Sequence, residues 1–224
     1  MNEASIELIQ SRTDLKVTTK KHMYSFVKRS FDIIMSLISI LLFLPIFIII
    51  AFMIKLDSKG NIIYKHKRIG KNGKYIYLYK FRTMYTNSKE ILEEILKDPK
   101  IKEEWDNNFK LENDPRITKV GKFLRRSSLD ELPQLINIFL GDMSFVGPRP
   151  VVDGEIEKYG IYKRKFLSVT PGLTGWWACN GRSCTTYEDR IKLELYYVNN
   201  RSILLDIKTL FKTFKAVVKG HGAK

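Results

Sequence analysis

The order of apolar and polar positions marks one segment that stands apart from the rest of the chain. Residues 33–54 form an apolar run of 22 residues without a charged side chain, longer than the roughly 18 residues of a membrane-helix candidate. Pro45 divides this run into halves of about 18 Å and about 14 Å of helix. Neither half alone crosses a hydrocarbon core of about 30 Å, although an unbroken helix through the whole run does.

The charged residues on either side of this run indicate whether the helix spans the membrane or re-enters it. Lysines and arginines lie on both sides of it, and basic flanks favour the cytoplasmic face of a membrane. A helix that is broken at Pro45 and leaves by the face it entered satisfies both flanks. We therefore predict a re-entrant helix, and a kinked single-pass helix remains the alternative because proline is tolerated in membrane helices.

Beyond the apolar run, alternating residues indicate a β-hairpin within residues 61–84. Asn72-Gly73 is a strong turn signal between two β-rich runs. Strand alternation divides the second run into two faces, namely Tyr75, Tyr77, Tyr79 and Phe81 on one and Lys80 and Arg82 on the other. The pattern suits either an edge hairpin protected by basic residues or a functional surface.

The remaining segments show helical periodicity. Residues 87–112 predict two short helices separated at Pro99, and residues 132–140 predict an amphipathic helix that ends at Gly141. The last helix, about 203–219, has one apolar and one lysine-rich side, which suits either a membrane interface or packing on the domain.

These elements predict an α+β, mostly helical fold. It contains a proline-broken re-entrant membrane helix, a small β-hairpin and surface amphipathic helices around one catalytic domain. The predicted divisions are an N-terminal arm at 1–27, the membrane helix at 28–56, a catalytic core at 57–150 and a C-terminal lobe with amphipathic helices at 151–224.

Composition narrows the classes of partner. The chain has 39 Lys and Arg against 24 Asp and Glu, a net charge of +15, which favours nucleic acid, acidic lipid headgroups or phosphorylated small molecules. Cys179 and Cys184 are too few for a disulfide framework or a zinc site by themselves, so we interpret them as reduced thiols in a cytosolic environment.

An acidic pair stands out in this basic chain. Asp130 and Glu131 precede the amphipathic helix, and Ser128 with Glu131 fits a capping box, which places the pair in the first helical turn. One interpretation is purely structural, because carboxylates stabilise a helix N-terminus. The other follows from the cations just upstream, which should keep an ionised carboxylate at low pKa and ready to attack phosphorus. The neighbouring carboxylate could then hold Mg²⁺.

A second candidate lies in the segment GDMSFVGPRP. Arg149 stands between Pro148 and Pro150, which fix the backbone on both sides of it. The segment is either a rigid turn with a solvated arginine or an arginine oriented toward a phosphate or a base.

Several motifs in order resemble the signature of bacterial polyprenyl-phosphate sugar-1-phosphate transferases, the monotopic phosphoglycosyl transferases. The longest is DPRITKVGKFLRRSSLDELPQLINIFLGDMSFVGPRP, accompanied by KRSFD, YKFRTM, VTPGLTG and KTFKAVVKGHGAK. The resemblance covers about residues 27–222. It implies transfer of a sugar-1-phosphate from a UDP-sugar to undecaprenyl phosphate, with release of UMP, at the cytoplasmic face of the bacterial plasma membrane. The product of this first membrane step would feed surface polysaccharide or glycoconjugate synthesis.

The resemblance also implies roles for individual residues. Asp130 matches the nucleophile of a ping-pong mechanism through a phosphosugar ester, and Glu131 matches its partner; together they would bind Mg²⁺. The resemblance also implies that Lys80, Arg82, Arg125 and Arg149 bind the substrate phosphates or the nucleotide. Pro45 matches the helix-breaking proline, and Arg29 and Asp32 match the pair at the helix entrance.

The implied partners are a UDP-sugar, undecaprenyl phosphate and membrane lipid, with no nucleic acid, and homo-oligomerisation is left open. Ala178 and Cys179 depart from residues common in the family, which puts any transfer of sugar identity in doubt. The short arm before the apolar run resembles the minimal catalytic form. The competing hypotheses are a membrane-tethered nucleic-acid-binding protein, suggested by the basic and aromatic residues of 75–82, and a scaffold without catalysis.

Overall fold

The structure is a computed structural model that describes residues 3–108, 111–181 and 185–218. It is mostly helical with a small antiparallel hairpin, so the predicted α+β class is confirmed. A short parallel strand pair in the C-terminal part was not foreseen.

The hairpin consists of β1 (Ile63–Ile69) and β2 (Tyr75–Phe81), and the parallel pair consists of β3 (Ser144–Val146) and β4 (Gly172–Thr174). The helices are α1 (Glu3–Asp57), α2 (Ser88–Ile95), α3 (Pro99–Asn108), α4 (Lys119–Ser127), α5 (Gln134–Leu140), α6 (Asp153–Ile156), α7 (Lys163–Phe166), α8 (Trp176–Asn180), α9 (Tyr187–Asn200) and α10 (Ile203–Val218).

Helix α1 corrects one part of the sequence-based prediction. It continues without interruption through Pro45, so the expected break in the helix is absent. Proline removes a single N–H donor, whereas unwinding the helix in apolar surroundings would leave several backbone groups without partners. Within the described residues, His22–Asp57 is the helix that is long and apolar enough to cross a membrane. The re-entrant topology stays a prediction.

The N-terminal flank of the apolar run is held by three polar side chains. Lys28 forms an ion pair of 2.8 Å with Asp206 of α10. The Arg29 guanidinium donates to the Ile138 carbonyl at 2.7 Å and to a second carbonyl at the end of α5. The Asp32 carboxylate accepts from the Phe145 amide at 3.0 Å. Arg29 and Asp32 therefore lie where α1 meets the folded domain.

The C-terminal flank of α1 is fastened to the same domain. The Asp57 carboxylate accepts from the Val120 amide at 3.2 Å, and Ile50 and Ile54 pack against Phe81 and Leu124. Both flanks thus contact one folded body. The opposite face of α1 exposes a continuous set of large apolar side chains, which include Leu41, Leu42, Ile48, Ile49, Phe52 and Leu56. A surface of this kind marks contact with lipid or another apolar partner.

The hairpin turn forms as predicted. Asn72 and Gly73 have positive φ angles of 57° and 78°, which asparagine and glycine tolerate. Ile76 and Leu78 face the core, whereas the tyrosines at 75 and 77 are exposed. Phe81 lies on the tyrosine side of the strand, but there α1 covers it and only 2% of it is exposed.

The parallel pair β3–β4 brings the GPRP segment against the TPGLTG segment. The Gly147 amide donates to the Thr174 carbonyl at 2.9 Å, and the Gly172 amide donates to the Pro148 carbonyl at 2.9 Å. A Cβ atom on Gly172 would lie 2.0 Å from the Gly147 nitrogen, so this approach requires glycine. The contact places Arg149 beside the C-terminal helices.

Candidate functional site

The acidic pair lies in a 3-10 turn rather than in a helix. This turn spans Leu129–Glu131, between α4 and α5. Ser128 ends α4 with φ of 56° and makes no capping hydrogen bond to the turn, so the predicted capping box is wrong. The reason is Pro133, which occupies the N-cap of α5 and delays the start of that helix to Gln134.

Burial dominates the electrostatics of Asp130. It raises the pKa of the Asp130 carboxyl above its ordinary value, and the nearby charge of Glu131 acts in the same direction. Lys80 and Arg125 lower the pKa, but less than burial raises it. The direction is opposite to the low pKa predicted from the sequence, because the partial burial of this carboxylate could not be seen there.

Two cations flank the acidic pair. The Lys80 ammonium lies 2.6 Å from a Glu131 oxygen, on the core-facing side of β2. Arg125, from the last turn of α4, donates through Nε to the Thr83 hydroxyl at 2.9 Å. The hairpin and α4 thus bring both predicted cations to the acidic turn.

Arg82 lies elsewhere. Its guanidinium donates to the carbonyls of Ser58 and Lys59, both at 2.6 Å, and to the Ser58 hydroxyl at 3.0 Å. These atoms follow the C-terminus of α1, and Arg82 is only 8% exposed. Its geometry does not support the predicted contact with substrate phosphate; instead the side chain satisfies orphan carbonyls at a helix end.

A cavity of about 420 Å³ adjoins the acidic turn. Glu131 and Ser128 line it on either side of Asp130, and Lys80 and Arg149 line it as predicted. Asp130 and Arg125 are not among its lining residues. The cavity lies between the acidic turn and the C-terminal helices.

One cation of the cavity was missed by the sequence analysis. Arg68 of β1 lines the cavity beside Lys80 and Arg149. Burial, followed by the positive charges of these three residues, lowers the pKa of His66 to about 4. The register of the hairpin pairs Arg68 with Ile76, on the same face as Lys80, so strand alternation could have identified it.

The C-terminal lobe adds a wall that no local sequence signal marks. Trp177 and Ala178 of α8 and Glu194 of α9 line the cavity. The Glu194 carboxylate accepts from the backbone amide of Arg149 at 3.0 Å. These residues are far from the acidic pair in sequence and meet it only through the β3–β4 pairing.

The remaining wall of the cavity is largely apolar. It comes from α1 and α10, through Ser39, Phe43, Leu210, Thr213 and Ala216. The cavity is thus bounded by cations and carboxylates on one side and by the long apolar helix on the other. Such a site suits a ligand with a phosphorylated head and an apolar tail.

The donor set for a metal ion is small. Among the described residues there is no group of three or more His, Cys, Asp or Glu side chains that could hold a metal ion. Asp130 and Glu131 alone suit Mg²⁺, which binds one or two carboxylates and completes its shell with phosphate oxygens and water. The pair therefore fits an ion that arrives with a phosphorylated substrate.

The fold and the site together define an α+β protein with one long, exposed apolar helix and a cavity lined by Arg68, Lys80 and Arg149. The family model for bacterial sugar transferases matches residues 23–220. The chain belongs to this family.

Individual relatives are consistent with this assignment. A UDP-galactose-lipid carrier transferase of Erwinia amylovora is 48% identical over 204 residues, which cover 91% of this chain and 43% of that protein. The exopolysaccharide production protein ExoY of Rhizobium meliloti (strain 1021) is 45% identical over 197 residues, or 88% of this chain and 87% of that protein. A UDP-glucose:undecaprenyl-phosphate glucose-1-phosphate transferase of Escherichia coli (strain K12) is 38% identical over 201 residues, or 86% of this chain and 40% of that protein. The chain spans less than half the length of the first and third of these relatives.

Proposed function

We propose that this protein transfers a sugar-1-phosphate from a UDP-sugar to undecaprenyl phosphate and releases UMP. The observation that carries the proposal is the half-buried Asp130 carboxylate near Lys80 and Arg125, beside a cavity that is lined by cations and carboxylates on one side and bounded by an apolar helix on the other. The name of the Escherichia coli relative specifies a UDP-sugar donor and undecaprenyl phosphate as acceptor for that protein.

The reaction proceeds in two displacements at one phosphorus. An ionised oxygen of Asp130 bonds to the sugar-bearing phosphorus of the donor, the P–O bond to UMP breaks, and UMP leaves with the bonding electron pair. An oxygen of undecaprenyl phosphate then attacks the same phosphorus. The bond to Asp130 breaks, which restores the carboxylate and leaves a diphosphate-linked sugar lipid.

The cations distribute the charge of these steps. Lys80 and Arg125 lie beside the acidic turn and compensate charge on the phosphoryl group in transfer. Arg68 and Arg149 also line the cavity, and they suit the phosphate of the UDP-sugar that leaves as part of UMP. Asp130 and Glu131 would hold Mg²⁺, which would neutralise phosphate charge when bound.

The apolar surfaces position the site at a membrane. Besides the exposed face of α1, helix α10 exposes an apolar stripe made of Leu204, Ile207, Phe211 and Phe214. In the proposed arrangement both surfaces contact the inner leaflet of the bacterial plasma membrane, and the catalytic domain lies on its cytoplasmic face. The lipid acceptor can then reach the cavity past α1 and α10.

The test uses the full chain in lipid nanodiscs with a panel of UDP-sugars, Mg²⁺ and undecaprenyl phosphate. We expect UMP release with at least one donor, and its loss in Asp130→Asn. The matched control is Asp153→Asn, which alters an exposed carboxylate bonded to Tyr75 and should retain activity. UMP release by Asp130→Asn at the wild-type rate would exclude Asp130 as the nucleophile.

A further inference from the structure

Glu194 is a buried carboxylate that the proposed chemistry leaves unexplained. It lies on α9, lines the cavity and is 1% exposed. One oxygen, Oε1, accepts from the Arg149 amide, but Oε2 has no hydrogen-bond partner among the described residues. Buried polar atoms almost always have a partner, so an unpartnered carboxylate oxygen at a cavity wall points to a ligand.

The neighbouring cations do not satisfy this oxygen. Arg190 uses one terminal nitrogen for Glu155, at 2.5 Å, and its guanidinium lies 4.5 Å from the centre of the Trp177 ring. Its other nitrogens have no partner among the described residues. Gly175 also lies next to this oxygen, since a Cβ atom built there would lie 3.9 Å from Oε2, but its backbone makes no hydrogen bond to Oε2.

A purely structural role explains only one of the two carboxylate oxygens of Glu194. Holding the GPRP segment requires one acceptor for the Arg149 amide, and a glutamine would supply it without burying a charge. Glu194 lines a cavity whose other polar groups include Lys80, Arg68 and Arg149, which suit phosphates. Beyond its diphosphate, a nucleotide sugar presents mainly hydroxyl groups, and a carboxylate oxygen is a strong acceptor for them.

Resting on the proposed function, we propose that Glu194 is a specificity-determining residue that accepts a hydrogen bond from a hydroxyl group of the UDP-sugar. Trp177 forms the wall beside it. The hydroxyl belongs either to the transferred sugar or to the ribose, and either one would donate the same kind of hydrogen bond to the carboxylate.

The test pairs a change in the ligand with a change in the protein. Wild-type protein in nanodiscs is assayed with its best UDP-sugar, with analogues that lack single sugar hydroxyls, and with analogues that lack a ribose hydroxyl. We expect one deletion to lower kcat/KM by about 10–100-fold, the range for a hydrogen bond to a charged group. The analogue that is affected identifies the source.

Glu194→Gln retains an oxygen that accepts from the Arg149 amide and places an amide nitrogen where Oε2 was. We expect it to lower kcat/KM for the intact donor to a similar extent and to show no further loss with the sensitive analogue. The control Glu155→Gln removes a carboxylate that pairs with Arg190 and Arg68 but does not line the cavity. It should keep the full sensitivity to hydroxyl deletion.

The proposal is overturned if every deletion costs wild type less than threefold, a result that does not depend on the folding of any variant. It is equally overturned if Glu194→Gln keeps the full sensitivity. Both results presuppose UMP release by wild type, so they leave the proposed function intact. Absence of UMP release with every donor would instead reject the proposed function itself.

Discussion

Replacing Arg82 by methionine separates a structural role from a substrate-binding role. The guanidinium makes two hydrogen bonds of 2.6 Å to the carbonyls of Ser58 and Lys59, and one of 3.0 Å to the Ser58 hydroxyl. Methionine retains much of the apolar stem but none of the donors. The expected primary effect is therefore on stability.

The magnitude follows from these bonds. Each hydrogen bond to a charged group contributes about 1.5–3 kcal/mol, and water reaching the freed carbonyls recovers part of this. We expect a net loss of about 2–4 kcal/mol, equivalent to about 5–15 °C in Tm for a chain of this length. Gly60, with φ of 122°, leaves room for the guanidinium, since a Cβ atom there would lie 2.1 Å from it. Gly60→Ala should also lower the stability of the protein, because its Cβ atom would displace the Arg82 guanidinium from these carbonyls.

The assay measures thermal unfolding and the KM for the UDP-sugar on the same nanodisc preparations. Arg126→Met, which removes an exposed cation from α4, is the control for lost charge and should shift Tm by less than about 2 °C. A KM raised tenfold in Arg82→Met with an unchanged Tm would refute the structural assignment and restore the sequence-based one.

Two other predictions concern the nucleophile and the membrane helix. Burial raises and Lys80 lowers the pKa of Asp130, so single-turnover UMP release should decline as falling pH protonates this carboxylate. Lys80→Met removes a charge that lowers this pKa and should move the decline to higher pH; a shift to lower pH would contradict the electrostatic account. For topology, Ser25→Cys and Asn61→Cys are labelled in intact cells, with both native cysteines replaced by serine. Protection of both sites from an impermeant reagent supports a re-entrant α1, and protection of only one site indicates a spanning helix.

Local sequence patterns predicted the elements more reliably than their junctions. The Asn72-Gly73 turn and the helix break at Pro99 depend on backbone preferences within a few residues, and both are present. The expected break at Pro45 is absent because a proline preference is outweighed by the cost of unpaired backbone groups. The capping box failed because Pro133 displaces the start of α5, which depends on one residue beyond the motif.

The candidate site was predictable only where chemistry is clustered in sequence. Asp130, Glu131 and Arg125 lie within seven positions, and the hairpin register brings Lys80 to them. Glu194 could not be identified, because its contact with Arg149 depends on the β3–β4 pairing. The pKa of Asp130 was mispredicted for a related reason: neighbouring charges can be read from a sequence, but burial cannot.

The central claim is that Asp130 bonds covalently to phosphorus during turnover. The most direct measurement supplies wild-type protein with an active UDP-sugar but no undecaprenyl phosphate, followed by rapid denaturation and peptide mass spectrometry. We predict an added mass of one sugar-phosphate on the peptide that contains Asp130, released when undecaprenyl phosphate is added before denaturation. Full turnover without any adduct on Asp130, or with the adduct on another side chain, would contradict the account.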